Sequence, residues 1–120
     1  MKVIVRVSKS FKRQAKPLLK KFLSLSNDLT QLEKELIENP HIGTPIGHNS
    51  YKIRLAVKSK GKGKRGGFRV ISHVETELIG IIENDGDDIV VNLISIYDKS
   101  EIASISDKEL RDLITGLHTE

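Results

Sequence analysis

Residues 51–74 constrain the fold more than any other stretch. Tyr51, Ile53, Leu55 and Val57 alternate with Lys52, Arg54 and Ala56, the period-two pattern of a strand with one buried face. A Gly/Lys turn follows over residues 59–67, and residues 68–74 read as a second strand. Residues 89–97 are apolar enough for a central strand, and Asn84-Asp85-Gly86-Asp87 before them is a hairpin signal. Residues 78–82 extend the second strand or pair with the next. Strands that follow one another through short turns pair antiparallel.

The rest of the chain supplies helices. Residues 2–7 alternate and are rich in Val, which predicts a first strand. Ser8 or Ser10 can cap a helix whose apolar positions are Phe11, Ala15, Leu18, Leu19, Phe22 and Leu23. Pro17 removes a backbone donor there and should kink the helix or start a new turn. Ser26-Asn27-Asp28 opens a second helix with Leu29, Leu32, Leu36 and Ile37 on one side, and Asn39-Pro40 ends it. Residues 41–50, with two Gly and a Pro, read as a loop. Ser106-Asp107 caps a last helix through Leu117, with Leu110, Leu113, Ile114 and Leu117 inward. The predicted order is β-α-α-β-β-β-α. That is a single α+β domain over residues 1–120, a small mainly antiparallel sheet with helices packed on one face.

Charge is segregated along this frame. Between Glu38 and Glu75 there is no acidic residue, and Lys52, Arg54, Lys58, Lys60, Lys62, Lys64, Arg65 and Arg69 put eight positive charges into eighteen positions. Residues 75–120 carry three basic and twelve acidic side chains, so a net charge of only +4 hides a strong local field. Such a field attracts a polyanion, nucleic acid above all. Cysteine is absent, which excludes disulfides and thiolate metal sites. His41, His48, His73 and His118 have no metal-ligand spacing. No apolar run approaches the roughly 20 residues of a membrane span. The expectation is a cytoplasmic protein without membrane, metal or cofactor.

The alternation gives the cations a shared face. Lys52 and Arg54 lie about 7 Å apart on one side of their strand. Pairing with the next strand brings Arg69 beside them, with Ile71 and His73 further along the same side. Cations held on rigid strands suit a phosphate better than the same charges on a free loop. Lys58, Lys60, Lys62, Lys64 and Arg65 add charge at the turn, whose glycines let backbone approach an anion. The turn lacks the spacing of a nucleotide-binding P-loop. Tyr97 near the end of the last strand can give a proton or stack on a base, and Lys99 can hold a phosphate. His73 is the one histidine on a strand near the cations, and so a second candidate proton donor.

Three runs carry a family resemblance: Tyr51-Lys-Ile-Arg-Leu-Ala56, Ser59-Lys-Gly-Lys-Gly-Lys-Arg-Gly-Gly-Phe-Arg-Val-Ile71 and Leu93-Ile-Ser-Ile-Tyr-Asp-Lys-Ser-Glu101. With the predicted element order, the chain resembles the RelE/ParE superfamily of bacterial toxins along essentially its whole length. The middle run looks most like the RelE/HigB-type branch, where a Lys/Gly turn leads into an Arg-bearing strand. The resemblance implies a type II toxin, a ribosome-dependent endoribonuclease (an mRNA interferase). A cognate DNA-binding antitoxin would neutralise it, and the toxin–antitoxin complex would bind operator DNA. It implies basic catalytic and phosphate-binding roles at Lys52, Arg54, Arg69 and Lys99. Family members also use a C-terminal tyrosine. This chain has none after Tyr97, and Ser72-His73 stands where relatives often carry Tyr-Tyr. The proton donor is therefore Tyr97 or His73.

The chemistry suits such a residue set. RNA brings its own nucleophile, the 2′-hydroxyl. The enzyme need only align it, take its proton, stabilise charge on phosphorus and protonate the leaving oxygen. Lys52 or Arg54 is expected near the nucleophile and Arg69 on the phosphate. Three rival readings fit the same charge. One is a ParE-like inhibitor of DNA gyrase. The others are a nucleic-acid-binding module that cuts nothing, and a degenerate toxin that keeps only antitoxin binding.

Overall fold

The computed structural model describes residues 2–61, 67–77, 88–102, 104–117 and 119. Strand β1 (Val3–Val7) leads into helices α1 (Lys9–Lys21) and α2 (Leu25–Glu38). Strands β2 (Thr44–Gly47), β3 (Ser50–Leu55), β4 (Phe68–Glu77) and β5 (Asp88–Asp98) follow, with a 3₁₀ turn at Lys58–Lys60, and α3 (Asp107–Leu117) ends the chain. The five strands form one mixed sheet in the order β1-β5-β4-β3-β2. All its pairings are antiparallel except β1 with β5. The α+β class predicted from the periodicities is the observed one.

Local chemistry explains most element ends. Ser8 accepts a hydrogen bond from the Phe11 N–H (3.0 Å) and starts α1. Lys20 and Lys21 lie in its last turn, where the helix dipole favours cations. Pro17 neither divides α1 nor starts a new element: a single helix runs through it, with the ring at an exposed position. Asn39 before Pro40 closes α2 by bonding back to Glu35 O (2.8 Å). At α3, Ser106 Oγ accepts from the Glu109 N–H and donates to the Glu109 carboxylate, a reciprocal cap.

Residues 41–50 are not simply a loop. They hold β2, which pairs with β3 at the sheet edge, where Pro45 is tolerated because one side of an edge strand needs no donors. Tight turns at either end hid this strand. Gly43 has φ +110°, and a Cβ there would stand 2.7 Å from Lys52 O. His48 and Asn49 both adopt left-handed backbone. The run 78–82 and the 84–87 hairpin signal lie outside the described residues. The flanking strands pair antiparallel as far as Glu77 with Asp88.

Side chains alternate to two sides of the sheet. Ile53, Leu55, Phe68, Val70, Leu93 and Ile96 meet Phe11 and Ala15 of α1 and Leu25, Leu32 and Leu36 of α2 in the main core. These two helices pack on one face, as the apolar stripes required. Phe68 is fully buried and meets Phe22 edge-on, with centroids 5.0 Å apart. The neighbours of the main-core strand residues, Ile71, Ile94 and Tyr97, point the other way and form a smaller cluster with Leu110 of α3. A bulge in β5 at Ile94 keeps Asn92 and Tyr97 on this same side.

Candidate nucleic-acid site beneath the C-terminal helix

The register of β3, β4 and β5 sets Arg54 opposite Arg69, and Arg69 opposite Tyr97. One step along, Lys52 faces Ile71, and Ile71 faces Ser95. Adjacent strands are about 4.8 Å apart, so Arg54, Arg69 and Tyr97 form a row about 10 Å long across three strands. Lys52 flanks it on β3, and Lys99 is exposed in the turn directly after β5. Three separate stretches of sequence thus meet on one surface.

The row is unevenly exposed. Arg54 is exposed and Lys52 half-buried, whereas Arg69 is only 4% and Tyr97 only 5% exposed. Arg69 Nη1 donates to Phe68 O (3.1 Å), which fixes the guanidinium against its own strand. Burial, with repulsion from Arg54, lowers the Arg69 pKa, and Tyr97 opposes that shift. Burial raises the Tyr97 pKa; Arg69 pulls it down and Glu109 pushes it up. A phenol held neutral in this way keeps its proton at neutral pH and can deliver it to an alkoxide. Its hydroxyl is sealed from solvent and has no hydrogen-bond partner among the described residues.

A cavity of about 310 Å³ adjoins Tyr97. Its other walls include Ser95, Gln14 of α1, and Glu109, Asp112 and Leu113 of α3. Gln14 also holds the edge of β5 beyond the end of β1: its Oε1 accepts from Ser95 Oγ and from the Ile96 N–H, each at 3.0 Å. Sequence reasoning missed these residues. Gln14 and Glu109 come from helices far from the strands in sequence, and nothing in the helical period marks them.

Two candidates stand apart from the row. Lys60 is drawn inward to the Asp98 carboxylate and lies 5.5 Å from the Phe68 ring centroid, on the main-core side. Ser100 N–H and Oγ also donate to Asp98 Oδ1 (2.9 and 2.8 Å). Burial alone would raise the Asp98 pKa, but the bonds from Lys60 and Ser100 outweigh it and lower it. Lys60 is therefore a neutralised structural cation, a correction to its expected place among phosphate-binding side chains. His73 shares the face of Arg69 but lies four residues along β4, about 13 Å away. It sits opposite Ser50, with Nδ1 3.1 Å from Ser50 Oγ and Nε2 3.7 Å from Glu75. It lines a different cavity, with His41, Asn49 and Tyr51. On the register it is a diagonal neighbour of Lys52, about 7–8 Å away, but its ring is engaged by Ser50 and Glu75. Of the two expected proton donors, Tyr97 is the one in the row with Arg54 and Arg69.

Lys58 is exposed, and its backbone N–H donates to Asp28 Oδ2 (3.2 Å). Lys62, Lys64 and Arg65 lie outside the described residues. Among the described residues no group of three His, Asp or Glu is placed to hold a metal ion. Nor is any helix among them long and apolar enough to cross a membrane. A scan against models of known protein families finds none that matches the chain.

Proposed function

We propose that this chain is a RelE/HigB-like toxin, a cytoplasmic endoribonuclease that cuts messenger RNA on the ribosome and is silenced by a cognate antitoxin. The observation that carries the reading is the row Arg54–Arg69–Tyr97, flanked by Lys52 on β3. It combines phosphate-binding cations with one neutral proton donor on rigid strands. The resemblance of the 51–56, 59–71 and 93–101 runs adds the choice of substrate.

In this mechanism Arg54 orients the 2′-hydroxyl and Lys52 takes its proton as the general base. Arg69 neutralises the charge that grows on the non-bridging oxygens as the 2′-oxygen bonds to phosphorus. Tyr97 gives its proton to the departing 5′-oxygen as that P–O bond breaks, leaving a 2′,3′-cyclic phosphate. Arg suits the phosphate because its planar fork can span two oxygens, where Lys offers a point charge.

The test is conditional expression with mapping of transcript ends. The wild type should generate new ends within translated messages, and Arg69→Ala should abolish them while circular dichroism shows an intact fold. Retained cleavage by a folded Arg69→Ala protein would overturn the assignment. Absence of wild-type cleavage, with inhibition of gyrase supercoiling instead, would replace it with the ParE-like reading.

A further inference from the structure

The row is covered. Lys52 shares a small cavity of about 120 Å³ with Ile105, Ser106, Asp107 and Leu110, so the start of α3 lies over β3. Leu110 packs on Ile71, Ile94 and Tyr97, and Leu113, Ile114 and Leu117 extend that contact. A side-chain latch ties the helix to the β2–β3 turn: His48 Nε2 lies 3.1 Å from Asp107 Oδ1. His48 is held in a left-handed backbone at that turn (φ 54°). Glu109 and Asp112 of α3 line the cavity beside Tyr97. A carboxylate thus approaches the place where a cation row would take a phosphate.

We propose that α3 is an autoinhibitory lid, seated over Tyr97 and Lys52 in this structure and displaced when RNA binds. The inference rests on the reading of the row as an RNA site and adds its regulation. One feature of the closed form favours opening. The Tyr97 hydroxyl is buried without a partner among the described residues, and such a group regains hydrogen bonds when water or a substrate oxygen reaches it. The closed form is held by one short helix of eleven residues, a modest apolar contact and an exposed latch, which a polyanion can outcompete.

The chain has no cysteine and no tryptophan, and two tyrosines. Both facts make the lid testable in the full-length protein. In a Tyr51→Phe background Tyr97 is the one intrinsic fluorophore of its kind. Acrylamide should quench it poorly, and better once a 2′-O-methyl RNA oligonucleotide, which cannot be cut, is bound. In a second protein, His48→Cys with Asp107→Cys, a reducible bis-methanethiosulfonate bridge ties α3 to the turn. Bridging should abolish binding of the same oligonucleotide, and dithiothreitol should restore it. A charge-neutral variant, Leu110→Ser, loosens the lid and should bind about tenfold tighter, as expected when the competent state stops being a minor one.

The lid is refuted if the bridged protein binds the oligonucleotide as well as the reduced one, or if bound RNA leaves Tyr97 quenching unchanged. Cleavage of ordinary RNA with the bridge in place would sink the lid and leave the nuclease reading standing. Bridge-sensitive binding with no cleavage by the reduced protein would do the reverse.

Discussion

Asp98→Asn tests the account of the site's border most sharply. Asp98 ends β5 directly after Tyr97, is 5% exposed, and accepts from Lys60 and from both donors of Ser100. Asparagine keeps the shape but removes the charge and turns two N–H donors toward a cluster of donors. Breaking a buried pair from one side costs about 3–5 kcal/mol. The Lys60 side chain is 11% exposed and can swing into water, so the cost falls at or just below the lower end, about 2–3 kcal/mol. For a chain of this size that is a fall in Tm of roughly 8–12 °C.

The pH dependence follows from the same group. The Asp98 pKa is depressed in the folded state, so the unfolded chain binds more protons in acid. Its contribution is full above the unfolded carboxylate value of about 4 and disappears as pH falls through the folded pKa. Wild type and Asp98→Asn should therefore differ in urea midpoint at pH 7 and converge in strong acid. A cycle with Lys60→Met should show coupling, the double variant being more stable than the two single losses added together. A pH 7 difference below about 0.5 kcal/mol would refute the reasoning, since that is the size of an exposed pair.

Tyr97→Phe should separate stability from chemistry. Removing a buried hydroxyl that has no partner among the described residues should leave stability unchanged or raise it by about 1 kcal/mol in urea denaturation. Cleavage should fall by about 10²–10⁴ if Tyr97 is the general acid. Loss of stability by more than 1 kcal/mol would mean that the hydroxyl does have a partner. Gly43→Ala should cost roughly 2–3 kcal/mol, because its φ of +110° disfavours a side chain and its Cβ would meet Lys52 O at 2.7 Å. A urea midpoint matching wild type would show that the β2–β3 turn relaxes freely. Phe68→Ala should cost about 3–5 kcal/mol, since the ring is fully buried and stacked edge-on against Phe22. A loss under 1 kcal/mol in the same measurement would place the centre of the core elsewhere.

Much of the fold was legible because side-chain periods are physical. Two-residue alternation gave β3 and the shared side of Lys52 and Arg54, and the 3.6-residue stripe gave α1, α2 and α3. Strand β2 was not legible. Four residues with a proline and a glycine have too little pattern to announce an edge strand, and only pairing with β3 makes one. At Pro17 no new element begins: packing of Phe11, Ala15 and Leu18 carries one helix through it.

Charge was legible as a quantity and not as a direction. The acid-free stretch from 39 to 74 fixed that a cationic surface exists, because no acid within it can cancel the field. It did not reveal that Lys60 turns inward to Asp98, thirty-eight positions away. It also did not reveal that His73 turns to Ser50 and Glu75, about 13 Å along its strand from Arg69. The alignment of Arg54, Arg69 and Tyr97 depends on register across two strand pairs and on a bulge at Ile94. The cover over Tyr97 depends on where α3 comes to rest. Periodicity is a property of neighbours along the chain, so sequence alone determined the longer elements and most of their apolar sides, with Leu19, Leu23 and Ile37 left exposed. Register, ion pairing and the seating of a helix are contacts between distant residues, and only the folded chain decided them.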